Sequence, residues 1–333
     1  MAGAFSLVER VIVSHSVVTP LIVSFGSVNI DVTARARRLP RPGETVHGES
    51  YGIMLGGKGS NQAAAAGRLA ASGAVRVALV GRVGRDDFGA RARQELARFG
   101  VELRPLRDDA DHATGVALIG IDAGTGENSI TVIGGANMAV DATDVVVADT
   151  WLKEAAVLLL QLEVPEVAVI AAAQRVKAAG GVVVLDPAPV PEGGLSGDVL
   201  RVADIITPNE TETGLLTGIT PETVEEASEA ARILQAKGVR RVLVKMGSRG
   251  VFWRDGDEEG FCKPFRVDAI DTVAAGDSFN AGLAFALAQK TSFQDAVCFA
   301  AACGALATTR NGAADAAPHY AEVCALVEQQ GAR

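Results

Sequence analysis

Histidine and cysteine are scarce in this 333-residue chain, four of each, and neither is grouped. His15, His47, His112 and His319 have no metal-ligand spacing, which removes a histidine-built metal centre. Cys262, Cys298, Cys303 and Cys324 form no Cys-x-x-Cys pair and carry no secretory context. They read as buried thiols in a reducing, cytoplasmic compartment. No basic stripe is present either. The formal net charge is −9, and the longest basic cluster, Arg35-Ala36-Arg37-Arg38-Leu39-Pro40-Arg41, reads as a solvated strand and turn. A nucleic-acid partner is therefore not expected. No apolar run approaches the ~20 residues that cross a bilayer, so no membrane role is expected. Residues 1–20 lack the basic start and unbroken apolar stretch of a signal peptide, since Glu9, Arg10 and His15 interrupt Val11-Ile12-Val13 and Val17-Val18. They are expected to form an extension, disordered or packed as an extra strand.

What the chain has is apolar content, 48%, enough for a large core. Short β-branched runs alternate with helical stretches. Strands are expected at Leu21–Val28, Val75–Val80, Ala156–Leu162, Val182–Asp186, Ile205–Thr207 and Val242–Lys245. Helices are expected at Phe88–Phe99, Glu166–Ala179 and Pro221–Lys237, the last with Thr220 as cap ahead of a first-turn proline. This order predicts an α/β fold with a doubly wound, mostly parallel sheet flanked by helices. Val32–Leu55 and Gly115–Val132 break the pattern, being β-like without intervening helices.

Two glycine-bearing segments carry the chemistry. Asp271-Thr272-Val273-Ala274-Ala275-Gly276-Asp277-Ser278-Phe279-Asn280 places small residues and an acid where an apolar helix begins. Backbone N–H groups left uncovered there attract an anion. Asp277 can take the proton of a hydroxyl bound beside them, while those amides stabilise a phosphoryl group in transfer. Gly56-Gly57-Lys58-Gly59-Ser60-Asn61 leads into a second helix. It is not a P-loop, because Gly59 follows Lys58; it reads as close backbone approach to a small polar ligand. Asn61 can cap that helix or bond a ligand hydroxyl. A third segment, Gly26-Ser27-Val28-Asn29-Ile30-Asp31, closes the first strand, where ligands of open α/β sheets collect.

These segments resemble the ribokinase family of sugar kinases, the PfkB carbohydrate kinases, from about Leu21 to the C-terminal helix. The resemblance implies ATP-dependent phosphorylation of the 5-hydroxyl of D-ribose by one kinase domain, residues 21–333, with a small β-sheet lid from about 32–55 and 115–132. It implies sugar contacts at Asn29, Ile30, Asp31, Gly57, Lys58, Gly59, Ser60, Asn61 and Glu163. Asp277 would be the base, with Ala274, Ala275 and Gly276 as anion hole. Nucleotide contacts would come from Asn209, Gly276, Asp277, Ala301 and the turn Lys245-Met246-Gly247-Ser248-Arg249-Gly250. Glu212 would join the Mg²⁺ shell. K⁺ would sit among backbone carbonyls of Asp271, Val273, Ala307, Arg310 and Gly312, near Ala316. Pairing of two lids would give a homodimer.

The chain departs from the family at two places. Ala316 replaces a common Ser of the cation loop, and Ala301 replaces a common polar adenine-pocket residue. Plainer readings also stand beside several roles. Asp31 can be a turn residue, Glu163 and Glu212 can be helix-start acids, and Arg249 a surface charge. Asp186-Pro187-Ala188-Pro189 reads as a structural turn. Kinase action on deoxyribose, fructose, adenosine or another small acceptor, and sugar binding without turnover, are the rival functions.

Overall fold

Runs such as Leu21-Ile22-Val23-Ser24-Phe25 and Ala155-Ala156-Val157-Leu158-Leu159-Leu160 are apolar on both faces, as strands buried in a parallel sheet must be. In the computed structural model, which describes residues 19–331, they form the sheet centre. The N-terminal extension expected over residues 1–20 lies, up to residue 18, outside the described residues.

In chain order the elements begin with β1 (Leu21–Phe25), β2 (Asn29–Ala36), β3 (Gly48–Gly56), α1 (Lys58–Ala70), β4 (Arg76–Gly84) and α2 (Asp87–Arg98). Next come β5 (Leu106–Asp109), β6 (Gly115–Asp122), β7 (Asn128–Ile133), α3 (Ala142–Val147), α4 (Asp149–Glu154), β8 (Ala155–Leu160), α5 (Glu166–Ala178) and β9 (Val182–Leu185). The last part holds α6 (Gly197–Val202), β10 (Ile205–Ile206), α7 (Glu210–Thr217), α8 (Val224–Ala236), β11 (Arg241–Lys245), β12 (Val251–Asp255) and β13 (Glu258–Cys262). It ends with α9 (Ala275–Ala288), α10 (Phe293–Ala307) and α11 (Tyr320–Gln330).

The main sheet has the order β13-β12-β11-β10-β9-β8-β1-β4-β5. It is parallel from β11 to β5, with β12 and β13 added antiparallel at one edge. Side chains alternate between its faces. Ile22, Val157 and Leu159 pack under α1, α9 and α10, whereas Val23, Phe25, Leu158 and Leu160 pack under α5 and α8. Each such Leu contributes about 1.5–3 kcal/mol by leaving water.

A separate four-stranded sheet, β3-β2-β6-β7, is built from the two β-like stretches expected to supply a lid. Asn29, at the root of β2, is in register with both Gly56 and Gly115. Exposed apolar side chains lie on both faces of this sheet, Tyr51 and Leu118 on one and Ile130 and Val132 on the other.

One helix start departs from expectation. Thr220-Pro221 does not open α8; Thr223 does, its hydroxyl accepting from Glu226 N while Glu226 accepts from Thr223 N. This reciprocal capping box satisfies two orphan amides, which a lone proline cannot.

Candidate active site

The chain leaves β1 and β8, neighbours in the sheet, towards opposite edges. The crevice beyond their carboxyl ends is thus the topological switch point. Ser27 follows β1 and Glu163 follows β8. Ser27 Oγ donates to Glu163 Oε2 at 2.5 Å, and Lys58 N donates to the same oxygen at 2.9 Å. Glu163 therefore compensates a helix N-terminus, but that of α1 rather than of α5, which follows it in sequence. The approach is close: a Cβ on Gly59 would stand 2.5 Å from the Gly26 carbonyl carbon, and Gly57 has φ +87°.

Asp277 lies in the first turn of α9, which starts after Ala274 in the left-handed region, φ 56°. A non-glycine residue held there marks a tightly determined turn, and the first-turn amides have no partner within the helix. The Asp277 carboxylate is buried. Its Oδ2 accepts from Asn61 Nδ2 at 3.2 Å and its Oδ1 from Gln62 Nε2 at 3.1 Å. Asn61 is thus inside α1 rather than its cap, and its reach is to the acid. Burial pushes the Asp277 pKa up; Lys58 and the two amide donors oppose this, Asp186 adds to it, and the result is about 6. Asp31, raised chiefly by burial and then by Glu163 and Asp277, also lies near 6. Burial weakens the Lys58 charge, but Asp277, Asp186, Glu163 and Glu212 outweigh it and hold the ammonium protonated.

Two acceptors in this region, Asn61 Oδ1 and Gln161 Oε1, are buried without a hydrogen-bond partner. Such orphans fit a ligand that brings hydroxyl donors. Other expected acceptor contacts are satisfied internally. Asn29 Oδ1 accepts from Asn137 Nδ2 at 2.7 Å, Ser60 Oγ donates to the Gly56 and Gly57 carbonyls, and Ile30 is wholly in the core.

The opposite side of the crevice holds the residues expected to meet nucleotide. Asn209 and Glu212 cap α7 reciprocally: Asn209 Oδ1 accepts from Glu212 N, and Glu212 Oε2 from Asn209 N, both at 2.8 Å. The first-turn reading of Glu212 is therefore realised, and burial raises its pKa. Lys245 Nζ donates to Asp186 Oδ1 at 3.2 Å, and a Cβ on Gly276 would meet that ammonium at 3.4 Å. Lys245 thus borders the Ala274–Gly276 amides. Gly247, Ser248 and Arg249 form a short turn after Met246, which is buried in the core, and Gly250 closes it with φ +115°. Arg249 is not an idle surface charge; it reaches Glu210 Oε1 at 3.2 Å and the Pro221 carbonyl at 3.1 Å. Ala301 lies half-buried on α10.

The two loops expected around a monovalent cation are tied together by Asp271. Its Oδ1 accepts from Val273 N at 3.0 Å and its Oδ2 from Gly312 N at 3.1 Å. The Thr308 carbonyl accepts from Asp271 N at 3.1 Å. Ala307 and Ala316 are wholly buried, and the Arg310 guanidinium turns away to Glu322. Among the described residues, no three His, Cys, Asp or Glu side chains converge as a metal cage.

Sequence reasoning missed Asp186, Gln62 and Gln161. Asp186 is 2% exposed and accepts from both Gln62 and Lys245, so it is part of the site and not merely a turn residue. Its position directly after β9, at the carboxyl edge of the sheet, was the available signal.

A buried acid at a helix start, where the Ala275 amide makes only a long 3.4 Å bond to the Thr272 carbonyl, with Lys58 and Lys245 close by, is an arrangement for moving a phosphoryl group onto a hydroxyl. The molecule is in class a small-molecule kinase. The chain belongs to the pfkB family of carbohydrate kinases, whose model matches residues 19–319. It is 38% identical to ribokinase of Haemophilus influenzae, over 91% of this chain and 97% of that protein. It is 35% identical to deoxyribokinase of Salmonella typhi, over 78% and 82% of the two. A solved structure of Arabidopsis thaliana ribokinase complexed with ribose and ATP has a TM-score of 0.84 at 34% identity, covering 93% of this chain and 99% of that one.

Proposed function

We propose that the protein transfers the γ-phosphoryl group of ATP to the 5-hydroxyl of D-ribose, giving ADP and D-ribose 5-phosphate. The observation that carries this reading is the placement of Asp277, buried at the amide-lined start of α9 and bonded to Asn61, whose own Oδ1 is an orphaned acceptor. Asn61, Asp31 and Glu163 would hold ring hydroxyls, and the terminal CH₂OH would face Asp277. Asp277 takes the hydroxyl proton as the oxygen bonds to the γ-phosphorus and the bond to ADP breaks. The amides of Ala274, Ala275 and Gly276 meet the developing charge, with Lys58 and Lys245 on either side. Closure of the lid would keep water from competing as acceptor.

Mg²⁺ carried by the nucleotide would be held from the side of Asn209 and Glu212, where it would neutralise phosphate charge. The carbonyls of Asp271, Val273, Ala307, Arg310 and Gly312 would take K⁺. The Asp271 bridge between their loops supports a preformed site. The exposed apolar side chains on one face of the lid, Tyr51 at 80% and Leu118 at 48%, favour pairing of two lids in a homodimer. The free thiols Cys262, Cys298, Cys303 and Cys324 fit a reducing cytoplasm.

The second reading is deoxyribose as acceptor, favoured by the 35% identity to a deoxyribokinase. ADP release and ³¹P NMR of the product decide between them, with ATP, Mg²⁺ and a panel of D-ribose, deoxyribose, fructose and adenosine, with and without K⁺. D-Ribose should give the highest kcat/KM and a 5-phosphate. Preference for another acceptor would move the assignment to that substrate, and binding without turnover would replace the kinase by a sugar-binding protein.

A further inference from the structure

Gln62 lies wholly buried on α1, one residue beyond Asn61, and every polar atom of its side chain is engaged. Its Nε2 donates to Asp277 Oδ1 and to Asp186 Oδ2, each at 3.1 Å. Its Oε1 accepts from Gln161 Nε2 at 2.6 Å. These three partners define which end of the amide is nitrogen. A flipped amide would set its oxygen against two carboxylates and its NH₂ against that of Gln161. Asp186 is in turn tied to Lys245 Nζ at 3.2 Å, beside Gly276. A chain of contacts, Gln161 to Gln62 to Asp186 to Lys245, thus crosses the floor of the crevice, and Asp277 hangs from its middle.

We propose that Gln62 is a positioning residue for the base: its amide, oriented by Gln161, holds Asp277 ionised and turned towards the acceptor hydroxyl. The proposal rests on the reading of Asp277 as the base of phosphoryl transfer. The physical need is plain. Asp277 and Asp186 are both buried, 5% and 2% exposed, and two nearby carboxylates without a donor between them drive a proton onto one of the pair. Gln62 supplies one N–H to each. The other charged groups around Asp277 are Lys58 on α1, Asp31 on β2, Glu163 after β8, Lys245 at the end of β11 and Glu212 on α7. Of these, Lys58 already serves several carboxylates and Lys245 is engaged by Asp186. Gln62 is therefore the neutral donor that spans both acids. A protonated Asp277 could not accept the hydroxyl proton, so loss of Gln62 acts through the protonation state of the base.

The test uses the full chain with Gln62→Met, which removes the donors at similar volume, and Gln62→Glu, which keeps the shape and the acceptor for Gln161. The Asp277 carboxyl carbon is followed by ¹³C NMR across pH in the ligand-free protein, its resonance assigned by its loss in Asp277→Asn. In parallel, kcat/KM for D-ribose is measured from pH 5 to pH 8. Gln62→Met should raise the carboxyl midpoint by about one pH unit. Its deficit against the parent protein should then widen about tenfold from pH 8 to pH 5. Gln62→Glu should raise the midpoint further, because a third carboxylate joins the pair, and it gives the same readout should the Met variant not fold. An unchanged midpoint, or a loss of activity equal at every pH, would overturn the role of Gln62. A parent protein without turnover on any acceptor would instead overturn the kinase reading, while the NMR midpoint still decides for or against Gln62 as the residue that keeps Asp277 ionised.

Discussion

Lys58 N and Glu163 Oε2 are 2.9 Å apart, so the first amide of α1 is capped by an acid 105 residues further along the chain. That one contact joins α1 to the carboxyl end of β8, on the side of the crevice proposed to hold the acceptor. Glu163→Gln keeps the shape but removes the charge facing the helix N-terminus and Ser27. The expected loss is about 1–3 kcal/mol, seen mainly as a roughly 5- to 150-fold rise in KM for the sugar with kcat less affected. Steady-state kinetics with saturating ATP measure it; an unchanged KM would remove Glu163 from the acceptor site.

As the proposed base, Asp277 should set the acid limb of activity. The base acts only when ionised, and its pKa lies about 6. The rate should therefore be level above about pH 7 and fall tenfold per unit well below pH 6. A kcat/KM profile that stays flat to pH 5 would contradict the assignment.

The same group carries a stability signature. Its folded pKa, about 6, is above the ordinary 3.8. The protonated form is thus favoured by folding, so its contribution is full below pH 3.8 and lost as pH rises through 6. Asp277→Asn removes the buried charge. It should melt higher than the parent at pH 8, by on the order of 1–3 kcal/mol, and the gain should shrink towards pH 4. Thermal unfolding at both pH values checks the sign.

Asp271 ties together the two loops proposed to hold K⁺, through Val273 N and Gly312 N. Asp271→Ala should abolish activation by K⁺, leaving the rate in K⁺ equal to that in a large quaternary cation. Retained activation would show that the carbonyls are placed without the carboxylate.

Far from the crevice, Asp144 is buried between Arg82, at 2.8 Å, and Arg107, at 2.8 Å, while capping α3 with Asp141. Asp144→Ala removes the carboxylate shared by Arg82 and Arg107 together with half of the α3 capping box; Arg82 keeps Asp109 at 3.0 Å and Arg107 is partly exposed, so the cost should be about 1–3 kcal/mol. Denaturant titration reads that loss, and turnover per folded molecule should not change.

Much of this arrangement is legible in the chain. The strand runs are apolar because both faces are covered, and the Asp271–Asn280 and Gly57–Asn61 stretches carry their small residues consecutively. Asp186 was not legible in the same way. A single Asp before Pro has the composition of a turn, and its partners Gln62 and Lys245 are 124 and 59 residues away. Glu163 illustrates the same limit: its sequence neighbour is α5, but the sheet order hands it to α1. At α8 two signals competed, a proline at 221 and a Thr-x-x-Glu box at Thr223. The box prevailed because it satisfies amides that the proline only vacates.

The most direct test is ATP-dependent formation of D-ribose 5-phosphate by the parent chain and by Asp277→Asn at pH 8, followed by ³¹P NMR with sugar binding measured by calorimetry. The account predicts turnover by the parent and a loss of at least 10³-fold in the variant, with sugar affinity within a few-fold of the parent. Comparable turnover by the two proteins would contradict it.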